Sequence, residues 1–258
     1  MTFEGLIRYL PKRLRRLLAQ CCWFAGGVVL PQIRAAEKGE RIVLKDLAEG
    51  MVAKDFVTLA HVQRYLFAEQ YSTGRIVLDV GCGSGYGTAH LSRAGAKLAI
   101  GVDCSALAIR YAKKWHDNER TEFVIMDACA LGFRAAFDLA VCFDVLEHLQ
   151  RPTDALRQIC QAMTIHGVAI IGTPNRSVSG LDNPHHVSEL SLPEFQQLLG
   201  SFFNKVVVLG QDLVVGGKRL GQNWRWAPPR LSFSLHNFAL VDRDVDICFG
   251  LLAICRRA

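Results

Sequence analysis

The stretch "IVLDVGCGSGYGT", Ile76 to Thr88, constrains the fold more than any other in the chain. A β-branched run ends in Asp79 and then in glycines, so a buried strand feeds a tight turn and then a helix. Glycines there let the backbone pass close to a ligand where a Cβ would collide, and the following helix offers its free N–H groups. The dinucleotide fingerprint G-x-G-x-x-G would need glycine where the chain has Tyr86; the pattern is instead an acidic residue, one spacer and G-x-G-x-G. A turn that only lets a helix pack closely on a sheet would look the same, so the surroundings have to decide.

From Arg75 onward strands and helices alternate. "RIVLDV", "KLAIGVD", "TEFVIMD", "FDLAVCFD" and "GVAIIGTPN" read as strands, with helices over "YGTAHLSRAG", "SALAIRYAKKW" and "TDALRQICQAM". Continuously apolar strands are buried on both faces, and the alternation implies right-handed crossovers in a mostly parallel sheet. "LAHVQRYLFAEQ" is a helix leading into the first strand. Towards the carboxyl end, "LSLPEFQQLLGSFF" reads as a helix, and "NKVVVLGQDL" and "VDICFGLLAICRR" as an antiparallel hairpin at the sheet edge. The long "GGKRLGQNWRWAPPRLSFSLHNFAL" between them is an acceptor lid or an irregular cover. The expected fold is α/β: a Rossmann-like, seven-stranded, mostly parallel sheet with helices on both faces and an antiparallel C-terminal hairpin.

A chain of 258 residues, half of them hydrophobic, supports one core, and no internal repeat argues otherwise. Nine cysteines without a CxxC pair indicate neither a disulfide framework nor a zinc knuckle, and point to a reducing cytoplasm. Much of the net charge of +6 lies in the first sixteen residues, where Arg8, Lys12, Arg13, Arg15 and Arg16 face only Glu4. Leu6, Ile7, Leu10, Leu14, Leu17 and Leu18 recur there at helical spacing, the pattern of a helix lying on an anionic membrane, on a partner or on its own domain. The apolar run from Leu17 to Leu30 is too short to span a bilayer and carries Gln20, Gly26 and Gly27. Residues 1–38 are read as a basic amphipathic extension, with peripheral membrane contact through residues 1–30, and 39–258 as the catalytic domain. A basic start and short apolar run also mimic a targeting peptide; the cysteines argue against secretion, and an organellar address stays open.

Ligands in such sheets bind at the carboxyl ends of strands. Strand two ends in Asp103, whose carboxylate can accept from the vicinal hydroxyls of a ribose. Strand three ends in Asp127-Ala128 and strand four in Phe143-Asp144: an aspartate can accept from the amino group of adenine, and Phe143 can pack on the base. Each aspartate could also be only a helix cap.

Taken in order, "VLDVGCGSGYGT", "GVDCS", "VIMDA", "FDLAVCFDVLEHLQRP" and "GVAIIGTPN" resemble the motifs of class I S-adenosylmethionine-dependent methyltransferases. "TPNRSVSGLDNPHHVSELSLPEFQQLL" is similar to the branch that includes quinone-biosynthesis O-methyltransferases and enzymes acting on glycans or lipid-linked metabolites. The resemblance implies S-adenosyl-L-methionine as cofactor. It implies that Gly81, Cys82, Gly83 and Gly85 contact the methionine part, with Asp79 ordering the loop and approaching the ammonium group. Asp103 would hold the ribose, Asp127 and Ala128 would border adenine, and Phe143 would lie beside the cofactor. "HVQRY" is similar to the family's N-terminal cover, making Arg64 a partner for the methionine carboxylate; an exposed helix arginine is the alternative.

Transfer to oxygen benefits from a base. His148 in "DVLEHL" could share a helical face with Asp144, and His185 or His186 on the later loop could face the acceptor; His148 and His185 are the catalytic candidates. Small-RNA 2′-O-methyltransferases hold a divalent metal through two glutamates and two histidines, which Glu147, His148, His185 and His186 resemble. Asp144 departs from that pattern, and the chain is read as metal-independent. The expected activity is methyl transfer to oxygen of a small-molecule, lipid-linked or glycan acceptor. The alternatives are an RNA methyltransferase, for which Arg219, Arg225 and Arg230 are thin support, and a non-catalytic binding protein of the same fold.

Overall fold

The computed structural model describes residues 52–53, 56–179, 183, 185–222 and 233–257. The amphipathic reading of residues 1–30 and the boundary at residue 39 lie outside them, as do residues 223–232 of the insertion, Trp224 and Trp226 among them. Five parallel strands carry the fold: β1 (Ile76–Val80), β2 (Leu98–Asp103), β3 (Thr121–Ile125), β4 (Phe137–Phe143) and β5 (Met163–Pro174). Then come β6 (Lys205–Val215), β7 (Phe238–Val241) and β8 (Gly250–Arg256). The order across the sheet is β7-β6-β8-β5-β4-β1-β2-β3, with the short strand Lys218–Arg219 on β6 as its ninth member.

The expected parallel body and antiparallel carboxyl-terminal strands are present, with two differences in detail. The closing strand β8 is not at the edge: it pairs antiparallel with both β5 and β6. The edge beyond β6 is occupied by β7, which the sequence reading left inside an irregular insertion. The burial of β8 explains the first difference. Leu251, Leu252, Ala253 and Cys255 are all fully buried, a two-sided apolar run that belongs inside a sheet.

The helices are α1 (Phe56–Ala68), α2 (Tyr86–Arg93), α3 (Ala106–His116), α4 (Pro152–Ala162) and α5 (Leu192–Gly200). Their starts follow local chemistry. Ser105 caps α3 by accepting from Ala108 N, Pro152 opens α4 where its missing N–H costs nothing, and Ser191 with Glu194 forms a capping box on α5. Because strand side chains alternate, Leu78 and Val80 face a core shared with α4 and α5 through Leu156, Ile159 and Phe195. Val77 faces the opposite core, with Val62 and Tyr65 of α1 and Leu91 of α2. Helix α1 is thus laid across the sheet beside the glycine turn. Among the described residues no helix is long and apolar enough to cross a membrane.

Candidate active site

The three glycines of the turn all have positive φ, +74° at Gly81, +53° at Gly83 and +87° at Gly85, but for different reasons. A Cβ on Gly81 would lie 2.3 Å from Val145 Cγ2, and one on Gly85 2.5 Å from Ala112 Cβ, so both glycines are required by packing. A Cβ on Gly83 would meet nothing within 4 Å among the described residues. Its backbone faces open space at the carboxyl end of β1, where a ligand can approach it. Cys82 turns its side chain into a cluster with Ile109, Ala112 and Phe123, so only its backbone is left for a ligand.

Asp103 stands over this opening. Its Oδ2 accepts from Gly83 N at 3.0 Å and its Oδ1 from Ser105 N at 2.8 Å, which fixes the carboxylate. Asp127 is exposed and caps the 3-10 turn Ala128–Ala130, its Oδ1 accepting from Cys129 N at 2.8 Å, with Ala128 half-buried behind it. The capping reading therefore holds for Asp127, whose other oxygen stays available. Phe143 is buried edge-on to Tyr65, ring centroids 5.0 Å apart.

Asp79 is 1% exposed and is satisfied by the protein: Thr88 Oγ1 donates at 2.6 Å and Tyr65 Oη at 3.1 Å. Burial pushes its carboxyl up to about 7 against these two donors. Its position, held by these two donors, serves the ordering of the loop. Gly87 makes the arrangement possible, since a Cβ there would fall 2.0 Å from the Tyr65 ring.

Arg64 is not the exposed helix arginine that was the alternative. It is 3% exposed, its Nε donates to Gln211 Oε1 at 2.9 Å and its Nη1 pairs with Asp144. The guanidinium is held by β6 and the β4 loop through Nε and Nη1, two of its five N–H donors being used in these bonds. Asp144 has φ +52° and directs its carboxylate back to α1. Burial raises its pKa, but Arg64 and then His61 outweigh this and hold it below the ordinary carboxylate range.

His61, Tyr65, Tyr86 and Gln211 were missed by sequence reasoning. His61 Nδ1 and the Tyr86 hydroxyl are hydrogen-bonded, and His61 Nε2 lies 4.0 Å from Asp144 Oδ2. Burial, with Arg64 assisting and Asp144 opposing, lowers the imidazole to about 4. The available signal was the spacing in "HVQRY", which puts His61, Arg64 and Tyr65 on one helix face.

On the acceptor side, Leu146–His148 is a 3-10 turn, so the helical face proposed for Asp144 and His148 does not form; the left-handed Asp144 ends the strand instead. His148 Nδ1 bonds the His185 carbonyl at 3.0 Å. The His185 side chain is exposed, and it is His186 that turns inward, its ring 4.8 Å from that of His148 and its Nδ1 2.6 Å from Glu189 Oε1. Glu147 is 1% exposed, accepts from Thr173 Oγ1 at 3.2 Å through Oε2 and has no partner for Oε1 among the described residues. Burial, then the Asp144 charge, pushes its carboxyl well above the ordinary range. Glu147, His148 and His186 each offer one ligand atom within 4.8 Å of the others, a set that could hold a cation. A protonated Glu147 lessens the cost of the same burial without one.

A family model described as a methyltransferase domain matches residues 78–171. The "Probable S-adenosylmethionine-dependent methyltransferase" of Mycobacterium tuberculosis is 30% identical over 219 residues, 72% of this chain and 78% of that protein. The mitochondrial ubiquinone biosynthesis O-methyltransferase of Schizosaccharomyces pombe is 30% identical over 129 residues, 48% of this chain but only 45% of the relative. Among solved structures, the Burkholderia thailandensis 1,6-didemethyltoxoflavin-N1-methyltransferase with bound S-adenosylhomocysteine superposes with a TM-score of 0.52 at 17% identity, covering 78% of this chain and 79% of that one.

Proposed function

The chain belongs to the class I S-adenosylmethionine-dependent methyltransferases, with S-adenosylmethionine as its methyl donor, and on that premise we propose transfer to an oxygen of a small-molecule, lipid-linked or glycan acceptor. The residues fit the donor: an open, positive-φ Gly83 beside a fixed Asp103 carboxylate is a cradle that a nucleoside with vicinal hydroxyls and an extended tail can enter. Asp103 accepts from the ribose, Gly83 passes under the tail, Asp127 and Ala128 border the base, and Phe143 with Tyr65 forms an apolar wall. Bound there, the donor supplies an electrophilic methyl group on a sulfonium. The protein aligns the acceptor, excludes water and receives a proton.

The observation that favours oxygen is the imidazole of His148 next to β4, oriented by its Nδ1 bond to the His185 carbonyl and by the His186 ring 4.8 Å away. The O-methyltransferase among the relatives supports the same choice. We further propose that residues 1–30 bring the enzyme to an anionic surface where a lipid-linked acceptor would be met.

The test has two arms. Calorimetry should show S-adenosylmethionine binding that Asp103→Ala weakens about 100-fold, in keeping with loss of a charged hydrogen-bond acceptor. Methyl-labelled cofactor incubated with fractionated cell extract should label a non-polymeric fraction whose methyl ester or ether is identified by mass spectrometry. Label in RNA, or on nitrogen or carbon, would overturn the acceptor reading.

A further inference from the structure

We propose that Tyr86, His61 and Asp144 form a proton relay in which the proton leaving an oxygen acceptor passes through the Tyr86 hydroxyl and ends on His61 Nδ1. The three residues come from separate elements: His61 from α1, Tyr86 from the first position of α2, and Asp144 from the left-handed residue after β4. Nothing in local secondary structure requires them to meet. The inference rests on the oxygen-acceptor reading above.

Charge decides the direction of the relay. Arg64 pairs with Asp144 Oδ1, and Gln211 in turn holds Arg64, so the carboxylate is kept ionised and in place. Its other oxygen, Oδ2, lies 4.0 Å from His61 Nε2, and a negative charge there selects the tautomer that carries its hydrogen on Nε2. Nδ1 is then the acceptor, and the hydrogen bond joining it to Tyr86 must be donated by the tyrosine. Tyr86 is only 3% exposed, so a phenol that donates inward keeps its oxygen lone pairs for a donor that must enter along the part-buried side of its bond to His61.

The step balances without further reagents. As the acceptor oxygen gives its lone pair to the methyl carbon, its proton moves to Tyr86 Oη while the tyrosine proton moves to His61 Nδ1. Tyr86 ends as it began, and His61 ends as an imidazolium beside Asp144. Around the imidazole the ionisable groups are Asp144 from the β4 loop, Arg64 and Tyr65 from its own helix, and Tyr86 from α2, with Asp79 of β1 behind the two tyrosines. The side chain of His61 keeps 13% of its surface and that of Asp144 25%, so solvent can later take the proton away.

Nitrogen NMR of the ligand-free full chain reads the relay directly. His61 should show the Nε2–H tautomer with a hydrogen-bonded Nδ1, stay neutral at pH 7, and lose the Nδ1 bond in Tyr86→Phe. An Nδ1–H tautomer, or a spectrum unchanged by Tyr86→Phe, would overturn the proposal. In label transfer from S-adenosylmethionine to the extract fraction, Tyr86→Phe and His61→Gln should each be slower by about 100-fold with cofactor affinity within about 2-fold of wild type, and should lose the acidic limb of the pH profile. Wild-type rates and profile in both variants would sink the relay while leaving the acceptor reading standing. Absence of label in oxygen with the wild-type enzyme would sink the reading itself.

Discussion

The two halves of the sheet solve the same problem, placing polar groups at strand ends, by opposite means. On the β1–β3 side the contacts are short-range: Gly83 N reaches Asp103 across 20 positions and Thr88 reaches Asp79 across 9. On the β5–β8 side the chain must return from far away, as when Arg64 meets Gln211 across 147 positions or Asn175 Nδ2 meets Cys248 O across 73. The first half is a pre-set cradle of backbone and carboxylate. The second is an assembled surface, and its geometry depends on the whole domain having closed.

Breaking the long-range half should have the largest effect. Arg64→Met would leave Asp144 partly buried without its cation and Gln211 without a donor, a loss of about 3 kcal/mol of stability measurable by urea denaturation. If unfolding were unchanged, the pair would not be what joins α1 to the far strands.

Substitutions within the turn sharpen the comparison. Gly85→Ala puts a Cβ 2.5 Å from Ala112 in a left-handed residue and should cost about 2 to 3 kcal/mol. Gly83→Ala meets no protein atom within 4 Å, so it should cost about 1 kcal/mol of stability while S-adenosylmethionine affinity drops at least about 10-fold in calorimetry. Equal effects of the two on folding would erase the distinction between packing glycines and a ligand-facing one.

Titration separates the groups around α1. Asp79 is raised to about 7, so the folded state holds this proton more tightly than the unfolded chain, and its contribution is full below about pH 4 and lost as pH rises to 7. His61, lowered to about 4, contributes the opposite slope: stability is full above about pH 6.5 and lost as pH falls towards 4. Asp79→Asn should therefore steepen the rise of stability between pH 4 and 6.5, read from denaturation midpoints. A curve parallel to wild type would show that Asp79 titrates normally.

The smallest effect expected is from a chelator. If a protonated Glu147 accounts for the Glu147, His148 and His186 group, label transfer should be unchanged in EDTA. Loss of transfer, restored by added Mn²⁺ or Zn²⁺, would put a cation there and make the acceptor half a metal-organised site.

The same contrast explains what the sequence revealed. Parallel strands buried on both faces announce themselves as apolar runs, and Gly81, Gly83 and Gly85 mark a turn that few other residues tolerate, so the sheet body and the position of Asp103 were legible. Helix α1 was legible too, but its partners were not. That Arg64 serves Asp144, or that His61 meets Tyr86, follows from the crossing of elements distant in sequence, which periodicity does not encode. The inward choice of His186 over His185 turned on Glu189, three residues further on, whose carboxylate anchors the ring. Strand β7 escaped notice because Phe238–Val241 has only four residues and lies after two prolines and a tryptophan pair.

The seat of β8 between β5 and β6 also has a consequence for how the molecule is made. During synthesis at roughly 5 to 20 residues per second, β5 and β6 leave the ribosome well before the strand that joins them, and each waits with an open hydrogen-bonding edge. A newborn chain stalled at this stage would expose two unpaired strand edges, the kind of surface that drives aggregation.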